Sequence, residues 1–264
     1  MSEWTISPDA LRKVCPNLDG ASAATIAKGL GHAFAQYDIT TEARAAMAVA
    51  QWAHESDHFK TSEEYASGAD YQGRLGNIHP GDGKRYKGRG RIMITGRANY
   101  EVIAKGLKLD CVERPEMLAT SPYSELASGQ WWHNAGCNAF CDKGDFVGLT
   151  RKINGGVNGL ESRQALYAAA KQVAPQLVPR DRMAVLSDSE REQIAILRSE
   201  RKTARLHGGW EKVDPSHGKR ASAAKHWLVD RKAQLTKLAK TEHDGWSKGG
   251  RRARVALIDE ALEG

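Results

Sequence analysis

Residues 41–58 read TEARAAMAVAQWAHESDH. Ala45, Val49, Trp52 and Ala53 recur at helical spacing, and Thr40/Thr41 with Glu42 supply a polar start and an acid in the first turn. The spacing predicts a helix from Thr41 through Glu55. Glu55 then projects beside Trp52, at the edge of a buried face. A carboxyl held against an aromatic wall loses hydration, which disfavours its charged form and suits it to donate a proton near neutral pH.

The last five residues, His54 to His58, also spell HExxH. On a continuous helix that spacing sets two histidines on one face with a glutamate between them, the start of a zinc peptidase site. A catalytic zinc needs a third protein ligand. Phe59, Lys60, Thr61 and Ser62 follow instead, and no HxxGxxH continuation is present. No metal or other cofactor is therefore expected.

Three blocks in order carry more information than the pentapeptide. They are GLGHAFAQYDITTEARAAMAVAQWAHES (29–56), GDGKRYKGRGRIMITGRANY (81–100) and NAFCDKGDFVGLTRKINGGVNGLESRQALY (138–167). Together they resemble glycoside hydrolase family 19, in the branch of phage endolysins and lysozyme-like chitinase homologues, over roughly Ala21 to Val173. The resemblance implies a mainly α (α+β lysozyme-like) fold with a cleft and hydrolysis of a β-1,4-linked amino-sugar polymer.

Carried over by position, Glu55 looks like the general acid and Glu64 like the base that activates water. Adjacent Glu63 competes with Glu64 for that role. Inverting glycosidases keep their two carboxyls about 6.5 to 9.5 Å apart, whereas nine residues of unbroken helix rise roughly 13 Å. The helix is therefore expected to end soon after His58, so that the chain folds back. Thr95 matches a hydroxyl that positions the nucleophilic water, and Asn99 a sugar-binding amide. Asn154 is expected to line the cleft, and Arg163 to support the acidic pair by charge, since a nearby cation keeps a base ionised.

In the second block, Gly81, Gly83, Gly88 and Gly90 permit turns and close backbone approach. Arg89 offers a donor fork, and Tyr86 an apolar platform with a hydroxyl tip, a mixture suited to sugars. The glutamine usual in this block is replaced by Met93, which removes one sugar hydrogen bond and bears on the substituent accepted. The spacing of a phosphate-binding GxxxxGK[ST] loop is absent. Gly155-Gly156 reads as a helix C-terminal turn, and at least one of Trp131 and Trp132 as core.

The chain has 264 residues, enough for a catalytic core plus a smaller appendage. The segment around Pro175 and Pro179 marks the expected boundary: a catalytic domain over 1–179 and a basic helical region over 180–264. From residue 180 onward 19 Lys and Arg face 13 Asp and Glu, leaving only +1 of the net +7 for residues 1–179. Helices are expected from a Ser187/Glu190 capping box to Leu206, closed by Gly208-Gly209, then over Ala221 to Lys240 and Arg251 to Leu262. The second carries Ala224, Leu228, Leu235 and Leu238 on one side, with Trp227 beside them.

Such a cationic face suits an anionic envelope surface. Its charges are interspersed with acids, and nucleic acid is not an expected partner. No apolar run is long enough to span a bilayer. MSEWTISPDALRKV lacks the charged start and apolar core of a secretory signal, so synthesis in the cytoplasm is expected, with a holin or equivalent giving access to peptidoglycan in the periplasm. Cys15, Cys111, Cys137 and Cys141 form no CxxC pair and read as reduced, partly buried thiols.

Overall fold

The computed structural model describes residues 4–181, 188–206, 215–238, 255, 258–259 and 261–263. One compact unit spans Trp4–Arg180, and a second takes in Asp181–Gly264.

The first unit begins with three capped helices. Ser7, with Pro8 behind it, caps α1 (Pro8–Val14), Asp19 caps α2 (Gly20–Gln36) and Thr41 caps α3 (Glu42–Glu55). Each cap side chain accepts from a backbone N–H that the helix itself leaves unpaired. After a short α4 (Asp82–Arg85) come α5 (Arg97–Leu107), α6 (Tyr123–Asn134), α7 (Cys137–Asp142), α8 (Phe146–Asn154), α9 (Leu160–Gln172) and α10 (Ala174–Leu177).

The central helix is α3. Every residue from Ala45 to Ala53 is buried, polar Gln51 among them. This corrects the single apolar stripe read from spacing: α7, α9 and α10 all pack on α3, and a helix buried on every side is a core helix. Alanines let those neighbours approach. Trp52 meets Phe34 of α2 edge-on at 5.4 Å and Trp132 of α6 at 6.1 Å. Trp132 is thus core, as expected, whereas Trp131 only packs against it.

Between α3 and α5 the chain builds an irregular lobe. The helix ends at Glu55, before His58, and Asp57, His58 and Phe59 follow in the left-handed region with φ of 48°, 59° and 64°. Non-glycine residues rarely adopt that region. Phe59, 2% exposed, anchors the turn in the core. The chain then runs antiparallel to the second block: Gly90 N–H donates to Ser62 O and Glu64 N–H to Gly88 O, both at 2.9 Å, and Arg89 pairs onward with Ile94.

A buried polar network holds the loop between these paired segments. Asn77 donates to Tyr71 O at 3.0 Å and accepts from Arg97 N–H at 2.8 Å, while the Arg97 guanidinium forks onto Asp82 at 2.6 and 2.8 Å. Buried polar groups satisfied in this way hold a loop that has few apolar contacts.

The second unit contains α11 (Asp188–Leu206) and α12 (Pro215–Leu238). Ile194 and Leu197 pack with Ala221, Ala224, Leu228, Ile258 and Ala261. Buried Glu190 accepts from Arg231 at 2.9 Å, and Glu200 from Arg220 at 2.7 Å. Part of the cationic excess therefore neutralises this unit's own acids. Trp227 stands 37% exposed, outside the cluster. Ser187, Gly208, Gly209, Lys240 and residues 251–254 lie outside the described residues, as do the side chains of Leu235 and Leu238.

All four cysteines are fully buried and free, and burial pushes Cys15, Cys137 and Cys141 up to about 12. Among the described residues no helix is long and apolar enough to cross a membrane.

Candidate active site

Glu55, the last residue of α3, has a side chain 18% exposed. Arg163, near the start of α9 and 1% exposed, donates through Nη2 to Glu55 Oε1 and through Nη1 to Gln51 Oε1, both at 2.5 Å. Gln51 and Glu55 lie four residues apart and share a helical face. Gln51 in turn donates to Thr150 Oγ1 at 2.8 Å, and Thr150 to Phe146 O at 3.0 Å. One glutamate oxygen is thus fixed by a chain of hydrogen bonds through three helices.

Two expectations are corrected here. The group on the Glu55 carboxyl is a guanidinium rather than an aromatic wall, because Trp52 turns into the core between Phe34 and Trp132. Arg163 stands on Glu55 and not on the second carboxylate, because α9 packs along α3.

The HExxH geometry also fails. With α3 ending at Glu55 and His58 left-handed, the two histidines share no helical face. His54 packs against Gly159 with Nδ1 3.1 Å from Ser162 Oγ; burial, then the Arg163 charge, hold its imidazole below the usual range. His58 lies 3.6 Å from Asp57. Among the described residues no group of three or more His, Cys, Asp or Glu is placed to hold a metal.

Glu63 and Glu64 sit on an extended segment, so their side chains point to opposite sides. Glu63 Oε1 takes Arg89 Nη2 at 2.8 Å and Lys87 Nζ at 3.3 Å. Glu64 Oε2 accepts from the Tyr71 hydroxyl at 3.1 Å, and its Oε1 is buried without a hydrogen-bond donor. Of the two, Glu63 is paired with two cations, whereas the Glu64 carboxylate meets a neutral hydroxyl.

Gly88 brings together the two residues expected to handle water. A Cβ at Gly88 would lie 2.8 Å from Glu64 Oε2, 3.2 Å from Met93 Cβ and 3.3 Å from Thr95 Oγ1. Glu64, Met93 and Thr95 therefore converge on one bare stretch of backbone. Thr95 Oγ1 donates to Met93 O at 2.8 Å, and the Asn99 amide donates to Thr95 O at 2.7 Å. Asn99 steadies the threonine.

Tyr86 and Arg89 do not fit the sugar-binding role expected of them. Tyr86 is fully buried, packs on Tyr100 at 5.2 Å and donates its hydroxyl to Val112 O at 3.0 Å. Arg89, 8% exposed, spends its fork on Glu63, Arg85 O and Tyr100. Both hold up the lobe. Asn154 is exposed at the end of α8, where left-handed Gly155 forms the expected C-terminal turn.

Gln51, Thr150 and Tyr71 belong to the site and were missed in sequence. Gln51 carried a signal, a polar residue inside an alanine run one turn before Glu55, whereas Tyr71 reaches Glu64 only through the loop's path. A cavity of about 540 Å³ beside α2, lined by Asp19, Thr25, Phe59, Lys60 and Arg91 among others, includes none of the expected site residues.

No protein-family model matches the chain. A glycosyl hydrolase family 19 domain-containing protein of Haemophilus influenzae is 34% identical over 113 residues, covering 42% of this chain and 54% of that protein. An endochitinase of Arabidopsis thaliana is 37% identical over 124 residues, covering 47% of this chain and 43% of that one. The chain spans about half the length of these curated relatives. In fold, chitinase C from Streptomyces griseus superposes with a TM-score of 0.53 at 22% identity, over 66% of this chain and 78% of that one. These relatives and this mainly helical fold make the chain similar to glycoside hydrolase family 19.

Proposed function

We propose that this protein hydrolyses β-1,4 glycosidic bonds in the glycan strands of bacterial peptidoglycan by single displacement, inverting the anomeric carbon. The observation that carries the reading is a pair of unlike carboxyls: Glu55 clamped by Arg163 through one oxygen, and Glu64 bound by a tyrosine with one buried oxygen left over.

Arg163 occupies Glu55 Oε1 and leaves Oε2 to protonate the glycosidic oxygen as the C–O bond breaks. A water held between Glu64 and Thr95 attacks the anomeric carbon from the opposite face, and its proton passes to Glu64. The Thr95 hydrogen is committed to Met93 O, so Thr95 meets that water as an acceptor. Two acceptors on the hydrogens of one water leave its oxygen lone pairs free and turn one of them toward carbon.

Charge favours peptidoglycan as the polymer. The chain carries a net +7 with a sequence pI of about 9.2. Peptidoglycan bears carboxylates and chitin does not, so a cationic protein is steered to the former. Chitin is the second reading, favoured by the endochitinase relatives. As an endolysin the protein would be made in the cytoplasm and reach the periplasm through a holin or equivalent, and cleavage there would lyse the cell. The cationic excess of the second unit would add attraction to the anionic envelope. No nucleic-acid partner enters this reading.

Mass spectrometry of digests of purified peptidoglycan and of colloidal chitin decides between the polymers. Muropeptides or glycan fragments with new reducing ends, released faster than chitin oligomers, support peptidoglycan. The reverse order assigns chitin.

A further inference from the structure

Tyr65 follows Glu64 directly, yet its side chain is 80% exposed. The ring is not free to wander: its hydroxyl donates to Asp57 Oδ2 at 3.2 Å. Asp57 sits in the left-handed turn just after Glu55, and its other oxygen faces His58 Nδ1 and Lys60 Nζ, each at 3.6 Å. One hydrogen bond therefore ties the segment that bears Glu64 to the turn that leaves Glu55, with an open aromatic face between them.

From this geometry we infer that Tyr65 is a stacking platform for a pyranose ring, held by Asp57 beside the two catalytic carboxyls. This inference rests on the glycosidase reading and adds a specificity-determining residue to it.

An exposed aromatic ring contributes little to folding, so its placement is not explained by core packing. A pyranose ring presents C–H groups on its flat face, which match a large, rigid aromatic surface, while its hydroxyls need donors and acceptors at the rim. Tying the hydroxyl removes rotamer freedom that binding would otherwise have to freeze. Charge agrees with the tie. The hydrogen bond to Asp57 raises the Tyr65 hydroxyl above its ordinary range. Desolvation would raise the Asp57 carboxyl, but the Tyr65 hydroxyl, Lys60 and His58 together hold it below its own. Buried Tyr86 cannot serve as a platform, so Tyr65 takes the part that the sequence had given to Tyr86.

The test is calorimetric binding of peptide-free peptidoglycan strands and of N-acetylglucosamine hexamer to the full chain carrying Glu55→Gln, with and without Tyr65→Ala. The platform predicts a Kd about tenfold higher without the ring on the better-bound polymer, the scale of one lost aromatic contact. Tyr65→Phe, which keeps the ring and loses the tie, should raise Kd only about two- to threefold, and Asp57→Ala should match it. Thermal unfolding should shift by less than about 2 °C in the Tyr65 variants, as befits an exposed side chain. A Kd within twofold of the parent after Tyr65→Ala overturns the platform, as does a Tyr65→Phe loss equal to that of alanine. If wild type cleaves neither polymer while Kd still depends on Tyr65, the glycosidase reading falls and the platform stands.

Discussion

Arg163 Nη2 lies 2.5 Å from Glu55 Oε1, and the same guanidinium holds Gln51 one helical turn earlier. Removing it strands both acceptors and frees the Glu55 side chain. Arg163→Ala is expected to lower kcat by about 100-fold, the scale of a misplaced catalytic group, and to cost about 2–3 kcal/mol in urea unfolding, since Glu55 keeps some water contact. Arg163→Lys should recover only part of the activity, because one ammonium cannot fork onto two residues at fixed angles.

Gly88 separates Glu64 from Thr95, and a Cβ there would stand 2.8 Å from the Glu64 carboxylate. Gly88→Ala should displace that flexible carboxylate and lower kcat by about 100-fold. The destabilisation should stay at about 1–2 kcal/mol, with the helical circular dichroism spectrum retained. Activity near wild type would remove Glu64 from the reaction.

His58 sits outside the helix and turns toward Asp57. EDTA should therefore leave hydrolysis within about twofold of the untreated rate, and His58→Asn should do the same. Asparagine is the suitable replacement because it tolerates the left-handed backbone. Loss of activity in both assays would bring back the zinc reading.

The Arg97 fork holds the Asp82 carboxyl down to about 2, from 3.8, against the opposing effect of burial. A carboxylate with a depressed native pKa stabilises the fold fully above its unfolded pKa and loses that contribution as pH falls through the native one. Stability should thus decline between about pH 4 and pH 2, and Asp82→Asn should flatten that part of the profile. Urea midpoints measured at a series of pH values give the comparison. An unchanged acid limb in Asp82→Asn would mean that the pair does not anchor the loop.

What was legible in the sequence was local. The α3 span follows from side-chain period and from Thr41, both properties of neighbouring residues, while its end at Glu55 comes before the stop expected just after His58. The three left-handed residues that turn the chain are set by Phe59 entering the core, which no spacing marks. The family resemblance placed Arg163 among the charged site groups but not on its carboxylate, because that choice depends on packing between α9 and α3 across 108 residues. Glu63 and Glu64 could be told apart only once the antiparallel partner supplied Arg89 on one side and Gly88 on the other, with Tyr71 reaching Glu64 from the loop. Tyr86 went wrong for a related reason: a tyrosine among glycines reads as a platform, and only its contact with Tyr100 shows it to be core.

The most direct test of the paired-carboxyl mechanism is proton NMR of a soluble glycan oligomer during its first minutes of hydrolysis, with wild type, Glu55→Gln and Glu64→Gln. The predicted result is new reducing ends that appear first as the α anomer with wild type and do not appear with either variant. Initial β anomer, or undiminished hydrolysis by either variant, would contradict it.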